Sequence, residues 1–240
     1  MAKQAFKVGS EQNGIIIRRP GNRNRAVIWV GPPLSGKDTQ TERFEKLGFP
    51  VLKMGPILKG LAQQDPNGAM RAAISQNRLI ADSTAIWQAK KWIVSKLGEP
   101  LIHLNGMPRT TPQLEIIGFL RERGFDPAVV WFDLPFNVCL TRLGRPGRET
   151  EDTQESRMER LTIFKDRTLP MQEPMKSQFG ISQANGNLLM LDNSNLQKHE
   201  TGLAILDFLQ LSTIPAERLF PEVFIGGNGS KSATRTATSP

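Results

Sequence analysis

The chain has 240 residues, of which 38% are apolar and 22% charged, enough to bury a core and too apolar for disorder over most of its length. No apolar run approaches the roughly 18 residues of a spanning helix, and MAKQAFKVGSEQNG has no apolar stretch behind its lysines, so neither a membrane protein nor a secretory leader is expected. The single cysteine, Cys139, excludes an internal disulfide and a zinc-cysteine cluster, and a cytoplasmic location is the expectation. Thirty-one Lys and Arg against 23 Asp and Glu give a net charge of +8, which suits an anionic partner. The basic residues are scattered, and no segment interleaves them with the 12 Phe and 4 Trp, which weighs against a nucleic-acid surface and leaves phosphates and nucleotides.

In chain order, residues 1–24 read as a polar N-terminal extension around Ile15-Ile16-Ile17, with room for an edge strand. Short apolar runs follow at Ala26–Val30, Val51–Met54, Leu101–Leu104, Ala128–Phe132 and Leu188–Leu191. Amphipathic stretches alternate with them at Lys37–Lys46, Asp82–Lys96, Thr111–Glu122, Phe136–Leu143, Gln154–Thr168 and Leu196–Leu211. This alternation predicts an α/β fold in three layers, a parallel sheet of five strands with helices on both faces. The interval after the second strand is too long for one crossover helix and reads as a helical insert over about 54–98. From residue 212 the chain is rich in Gly, Ser, Thr and Pro and reads as a tail, leaving 25–211 as the folded domain.

The chemistry is most legible directly after the first strand. Gly31-Pro32-Pro33-Leu34-Ser35-Gly36-Lys37-Asp38-Thr39 contains G-x-x-x-x-G-K between a strand and a helix. The glycines let backbone N–H groups wrap a phosphate, the helix start adds its positive end, and the lysine bridges phosphate oxygens. Gly31, Pro32, Leu34, Ser35, Gly36, Lys37, Asp38 and Thr39 are therefore the candidate donor-phosphate residues. The stretch GPPLSGKDTQ resembles the GPPGSGKGTQ of adenylate kinases and related nucleoside monophosphate kinases, with Leu34 and Asp38 in place of two glycines.

The likeness extends over about residues 25–211. Asn105-Gly106-Met107-Pro108-Arg109-Thr110-Thr111-Pro112-Gln113 is similar to that family's D-G-F-P-R-T-x-x-Q, which implies that Arg109 clamps the acceptor phosphate, Gln113 reads the acceptor base and Gly106 belongs to the same acceptor set. Met54-Gly55-Pro56-Ile57-Leu58-Lys59 stands where the family has T-G-D-L-L-R, and Arg78-Leu79-Ile80 where it has a turn against the base, so Met54, Gly55, Lys59, Arg78, Leu79 and Ile80 join the acceptor set. Arg142, Arg145 and Arg148 resemble the start of the family's lid, here short and placed at about 144–152, and Arg160 follows on the next helix. Lys37, Arg109, Arg142, Arg148 and Arg160 are the implied catalytic set, with Arg142 and Arg145 also on ATP. Positive charge around a donor and an acceptor held in line is what phosphoryl transfer asks of a protein.

The resemblance implies ATP, a monophosphate acceptor, most simply AMP, and Mg²⁺ carried by ATP near Thr39, Asp38 and Asn105. Four departures from the family pattern sit near the expected chemistry: Lys59 for arginine, Asn105 for aspartate, Asp38 for glycine and Met54 for threonine. Two readings stay open: Asp38 faces the magnesium that Asn105 no longer serves, or Asp38 repels phosphate and the chain is a nucleotide-binding module without turnover. A small-molecule or polynucleotide kinase would resemble the chain only around 26–46, and the Gly-x-Pro-Arg segment argues against it. The sequence leaves the oligomeric state open.

Overall fold

Alternate residues of the first strand face opposite ways, as strand geometry dictates, and both sets are apolar. Ala26, Ile28 and Val30 enter one core, Val27 and Trp29 the other, all essentially inaccessible to solvent. A strand buried on both faces belongs in the middle of a covered parallel sheet. The computed structural model, which describes residues 23–76, 78–142, 153–180, 187–211, 214 and 216–221, places it there. β1 (Asn24–Val30), β2 (Val51–Lys53), β3 (Leu101–Asn105), β4 (Phe125–Phe132) and β5 (Leu188–Leu191) form one sheet in the order β2-β3-β1-β4-β5. Every neighbouring pair is parallel, with Trp29 opposite both Asn105 and Val130.

Helices cover both faces. Ile93 of α4 (Asp82–Val94), Ile116, Ile117 and Leu120 of α5 (Glu115–Glu122) and Met175 of α8 (Gln172–Phe179) pack on the Ile28, Leu104 and Trp131 side. On the Trp29 and Phe132 side lie Phe44 of α1 (Lys37–Lys46), Cys139 of α6 (Phe136–Thr141), Leu161 of α7 (Gln154–Ile163) and Ile205 of α9 (Lys198–Phe208). The three-layer α/β sandwich of a P-loop NTPase-type fold results. α2 (Met54–Gln63), α3 (Ala69–Ser75) and α4 occupy the interval between β2 and β3. In such a sheet the connections leaving the carboxyl ends of the strands form the ligand-binding edge.

The structure departs from the sequence reading in several places. Met54 opens α2 and does not end β2, and Thr111–Leu114 forms a 3₁₀ turn before α5, with Pro112 in its first positions. The helix expected through Thr168 stays α-helical only to Ile163, and Phe164–Thr168 continue as a π-helical turn. The tail boundary at 212 also gives way. Ile214, Leu219 and Phe220 are buried in the Trp29-side core, and α10 (Ala216–Leu219) lies between them. Composition averaged over a Gly/Ser-rich terminus hides this short apolar cluster. The expected edge strand at Ile15–Ile17 lies outside the described residues, as does most of the N-terminal extension.

Candidate functional site

The loop from Gly31 to Thr39 leaves the carboxyl end of β1 and turns into α1. A Cβ at Gly31 would stand 2.7 Å from Phe132 Cβ, so the first glycine is required by the close approach of β4. Gly36 caps α1 with φ 93°, and Leu34 adopts φ 63°, a left-handed conformation that a branched side chain rarely takes. Lys37 Nζ donates to the Pro32 carbonyl at 3.0 Å and Ser35 N–H donates to the same carbonyl at 3.2 Å, which folds the loop on itself. Ser35 is fully buried, and its Oγ has no hydrogen-bond partner among the described residues.

The connection after β3 forms the neighbouring wall. Arg109 Nε donates to Gly106 O at 3.0 Å, and the Arg109 backbone is held at both ends: its N–H donates to Gln113 Oε1 at 2.8 Å, and its carbonyl accepts from Thr168 Oγ1 at 2.8 Å. A Cβ on Gly106, where φ is 86°, would sit 3.2 Å from the Arg109 guanidinium and 3.5 Å from Met54 Cβ. The structure thus brings Met54, Gly106 and Arg109 side by side.

A direct bond joins the two walls. Asn105 Nδ2, at the end of β3, donates to Asp38 Oδ1 at 2.6 Å and lies 3.1 Å from Thr41 Oγ1. Thr41 in turn donates to the Asp38 carbonyl at 3.0 Å. The carboxylate of Asp38 is also the main favourable charge on its surroundings. Removal from water lowers the pKa of Lys37 and the cations Arg109 and Arg160 push the same way, while Asp38 pushes it back up. Asp38 likewise supports the charge of Arg109.

Arg142, at the end of α6, is tied to the phosphate loop itself. One terminal nitrogen donates to Ser35 O at 3.0 Å and lies 3.4 Å from Leu34 O, and the other donates to Asn193 O at 2.8 Å. Arg160 is on α7 and its Nε donates to Ser156 O at 3.2 Å. Among the other predicted residues, Gly55, Lys59 and Arg78 are exposed and Leu79 and Ile80 half-buried on the α2–α4 segment. Arg145 and Arg148, with the expected lid, lie outside the described residues. An open groove of about 680 Å³ on the same segment is lined by residues such as Leu61, Met70 and Trp87, and includes none of the predicted ones.

Three polar residues escaped the sequence reading. Asp82 Oδ1 accepts from Thr110 Oγ1 and Gln113 Nε2, both at 2.7 Å. Gln113, 3% exposed, therefore has one bond on each end of its amide. Thr41 is fully buried beneath Asn105, and Asn193 is 5% exposed beside Ser35. Asp82 and Thr41 are ordinary helix residues until partners 28 and more positions away arrive. The DNSN stretch around Asn193 reads as a plain turn.

The chain matches the family described as "AAA domain" over residues 30–159, more than half its length. It is 30% identical over 168 residues to an adenylate kinase of Bacteroides fragilis, an alignment covering 67% of this chain and 89% of the relative. The chain belongs to the adenylate kinase family. An adenylate kinase of Thermus thermophilus is 30% identical over 176 residues, covering 70% and 88% of the two chains. One of Synechococcus sp. is 29% identical over 154 residues, covering 62% and 82%. As a member of this family the chain is a phosphotransferase of the nucleoside monophosphate kinase type, with a P-loop on the sheet's carboxyl edge. No helix among the described residues is long and apolar enough to cross a membrane.

Proposed function

We propose that the chain transfers the γ-phosphoryl group of ATP, bound with Mg²⁺, to AMP, giving two molecules of ADP. The observation that carries this reading is the 2.6 Å bond from Asn105 to Asp38. It fastens the donor-phosphate loop after β1 to the Gly106–Gln113 connection after β3, and these strands are direct neighbours in the sheet. Two phosphate-binding walls on adjacent strand ends are what in-line transfer between two nucleotides requires.

In this mechanism Lys37 and the backbone N–H groups from Gly36 to Thr39 hold the donor phosphates, with Gly31, Pro32, Leu34 and Ser35 shaping the loop. Arg109 and Lys59 hold the acceptor phosphate, with Met54, Gly55, Gly106, Arg78, Leu79 and Ile80 along its cleft. As an acceptor phosphate oxygen bonds to the γ-phosphorus, the bond from that phosphorus to the β-bridging oxygen breaks. ADP departs with the electron pair. Arg142, Arg145, Arg148 and Arg160 offset the charge spread over the transferring group. Gln113 serves base choice. Its amide is oriented by Arg109 N–H and Asp82, and each end keeps one further valence, an acceptor and a donor that match the N6 and N1 edge of adenine.

The residues fit a magnesium ion carried by ATP. Asp38 follows the loop lysine directly, the position from which P-loops reach the metal with a hydroxyl. Asn105 holds its carboxylate there, and Thr39 is the next residue. When bound, the ion neutralises the donor phosphates. Asp38 and Thr39 would orient it, with the amide of Asn105 standing in place of a second carboxylate.

The test is a coupled diphosphate assay of ATP·Mg²⁺ against AMP, CMP, UMP, GMP and dTMP. Preference for AMP supports the proposal, and preference for another base overturns the acceptor assignment alone. No diphosphate from any of the five, with ATP still raising the melting temperature, overturns transfer and leaves a nucleotide-binding module.

A further inference from the structure

We infer that Asn193, in the connection after β5, is a positioning residue for the donor nucleotide: it fixes the backbone of the phosphate loop from outside, with Arg142 as its partner. The inference rests on reading that loop as the donor-phosphate site, and it concerns residues on the face of the loop away from the acceptor wall.

Asn193 is almost wholly buried, and its side chain is spent entirely on this contact. Its Nδ2 donates to Ser35 O at 3.1 Å. Its Oδ1 lies 3.4 Å from both terminal nitrogens of Arg142, and its backbone carbonyl accepts from Arg142 at 2.8 Å. Arg142 closes the figure by donating to Ser35 O at 3.0 Å. The Ser35 carbonyl therefore has both lone pairs engaged, one by the amide and one by the guanidinium. Both groups pack against the loop at ordinary contact distance: a Cβ on Gly36 would lie 3.5 Å from Asn193 Nδ2 and 3.9 Å from Arg142.

The consequence follows from peptide planarity. In a trans peptide the C=O and the following N–H point in opposite directions. Anchoring the Ser35 carbonyl toward Asn193 turns the Gly36 N–H to the other face, at the start of α1, where an anion meets the helix's positive end. The same anchoring holds Leu34 in its left-handed conformation (φ 63°), which costs energy for a leucine and persists only where the surroundings over-determine it. A loop that carries leucine where glycine would adopt this bend freely needs an external brace, and Asn193 with Arg142 supplies one.

The experiment compares wild type with Asn193→Ala and Asn193→Asp. Asn193→Ala removes both side-chain contacts. Asn193→Asp keeps an acceptor for Arg142, loses the donor to Ser35 and adds one negative charge, and it stands in should the alanine variant fail to fold. ATP affinity is read by calorimetry, donor and acceptor KM by the coupled assay, and folding by the melting temperature. Both variants are expected to weaken ATP about tenfold and raise donor KM alike, with acceptor KM within about twofold of wild type, the size of one lost hydrogen bond. Asn193→Ala combined with Arg142→Lys should weaken ATP less than the two single effects multiplied together, because both act through one carbonyl. Unchanged ATP affinity in both variants overturns the inference alone. So does a fall of donor and acceptor affinities together with melting temperature, which would mark a general scaffold role. A wild-type chain with no affinity for ATP overturns the donor-site reading and this inference with it.

Discussion

His103 sits in the middle of β3, fully buried, with its ring 4.4 Å from that of Phe44. Nδ1 accepts from Trp29 Nε1 at 3.1 Å, and Nε2 has no partner among the described residues. Nothing there stabilises an imidazolium, and burial pushes the pKa down to about 3. In the unfolded chain the same ring titrates near 6.5. The folded pKa is the lower one, so the native state keeps its full stability above pH 6.5 and loses it as pH falls, because the unfolded chain gains a proton that the native state refuses. The loss is about 1.4 kcal/mol per pH unit between pH 6.5 and about 3, or roughly 3 kcal/mol by pH 4.5. His103→Phe removes the titration and keeps the aromatic packing, at the expense of about 1–3 kcal/mol at every pH for the orphaned Trp29 N–H. Urea unfolding from pH 7.5 to 4.5 should therefore show wild type more stable at neutral pH and the two profiles converging as pH falls below 6.5, to meet between about pH 5.8 and about pH 4.3. Parallel profiles would refute the reasoning, since they would mean that His103 protonates as readily in the fold as outside it.

Other consequences are equally concrete. Gly202→Ala would drive a Cβ into the Phe220 ring, so the melting temperature should fall by an amount worth about 1–3 kcal/mol, and Phe220→Leu in the same chain should recover part of it. Lys37→Met should reduce transfer by several orders of magnitude while leaving the melting temperature near wild type, because its hydrogen bond to Pro32 O is the loop's own and not the core's. Asp38→Asn should weaken the Mn²⁺ affinity of the ATP complex about tenfold, read by electron paramagnetic resonance, since one charge is worth about that much at such a site. Adding Asn105→Asp should restore it by returning a carboxylate to the other end of the 2.6 Å pair. Equal affinities in all three proteins would separate the pair from the metal.

The sheet was legible because its signal is local. Each strand is a short apolar run, and β1 is apolar on both faces, which places it centrally before any contact is known. The phosphate loop was legible for the same reason, as a motif within nine residues. α8 has no counterpart among the amphipathic stretches: Pro170, Pro174 and Gly180 interrupt its pattern, although a proline in the first turn of a helix gives up no internal hydrogen bond. The Ile214–Phe220 segment was missed because its burial depends on a partner without a side chain, Gly202, which leaves room for the Phe220 ring. The same limit applies to the site. Arg109 and Gln113 could be named from the resemblance to the family's motif, whereas the roles of Thr41, Asp82 and Asn193 arise only from pairings across 64, 31 and 158 positions. The Asp38–Asn105 pair shows how the two levels meet. Both residues are departures in sequence, and contact between them turns two anomalies into one arrangement.

The measurement that bears most directly on the account is ³¹P nuclear magnetic resonance of the wild-type chain with ATP, Mg²⁺ and AMP. The account predicts that ATP and AMP signals decline together, that ADP appears at two molecules for each ATP consumed, and that ATP alone stays intact. Loss of ATP to ADP and inorganic phosphate whether or not AMP is present, or no change in any signal, would contradict it.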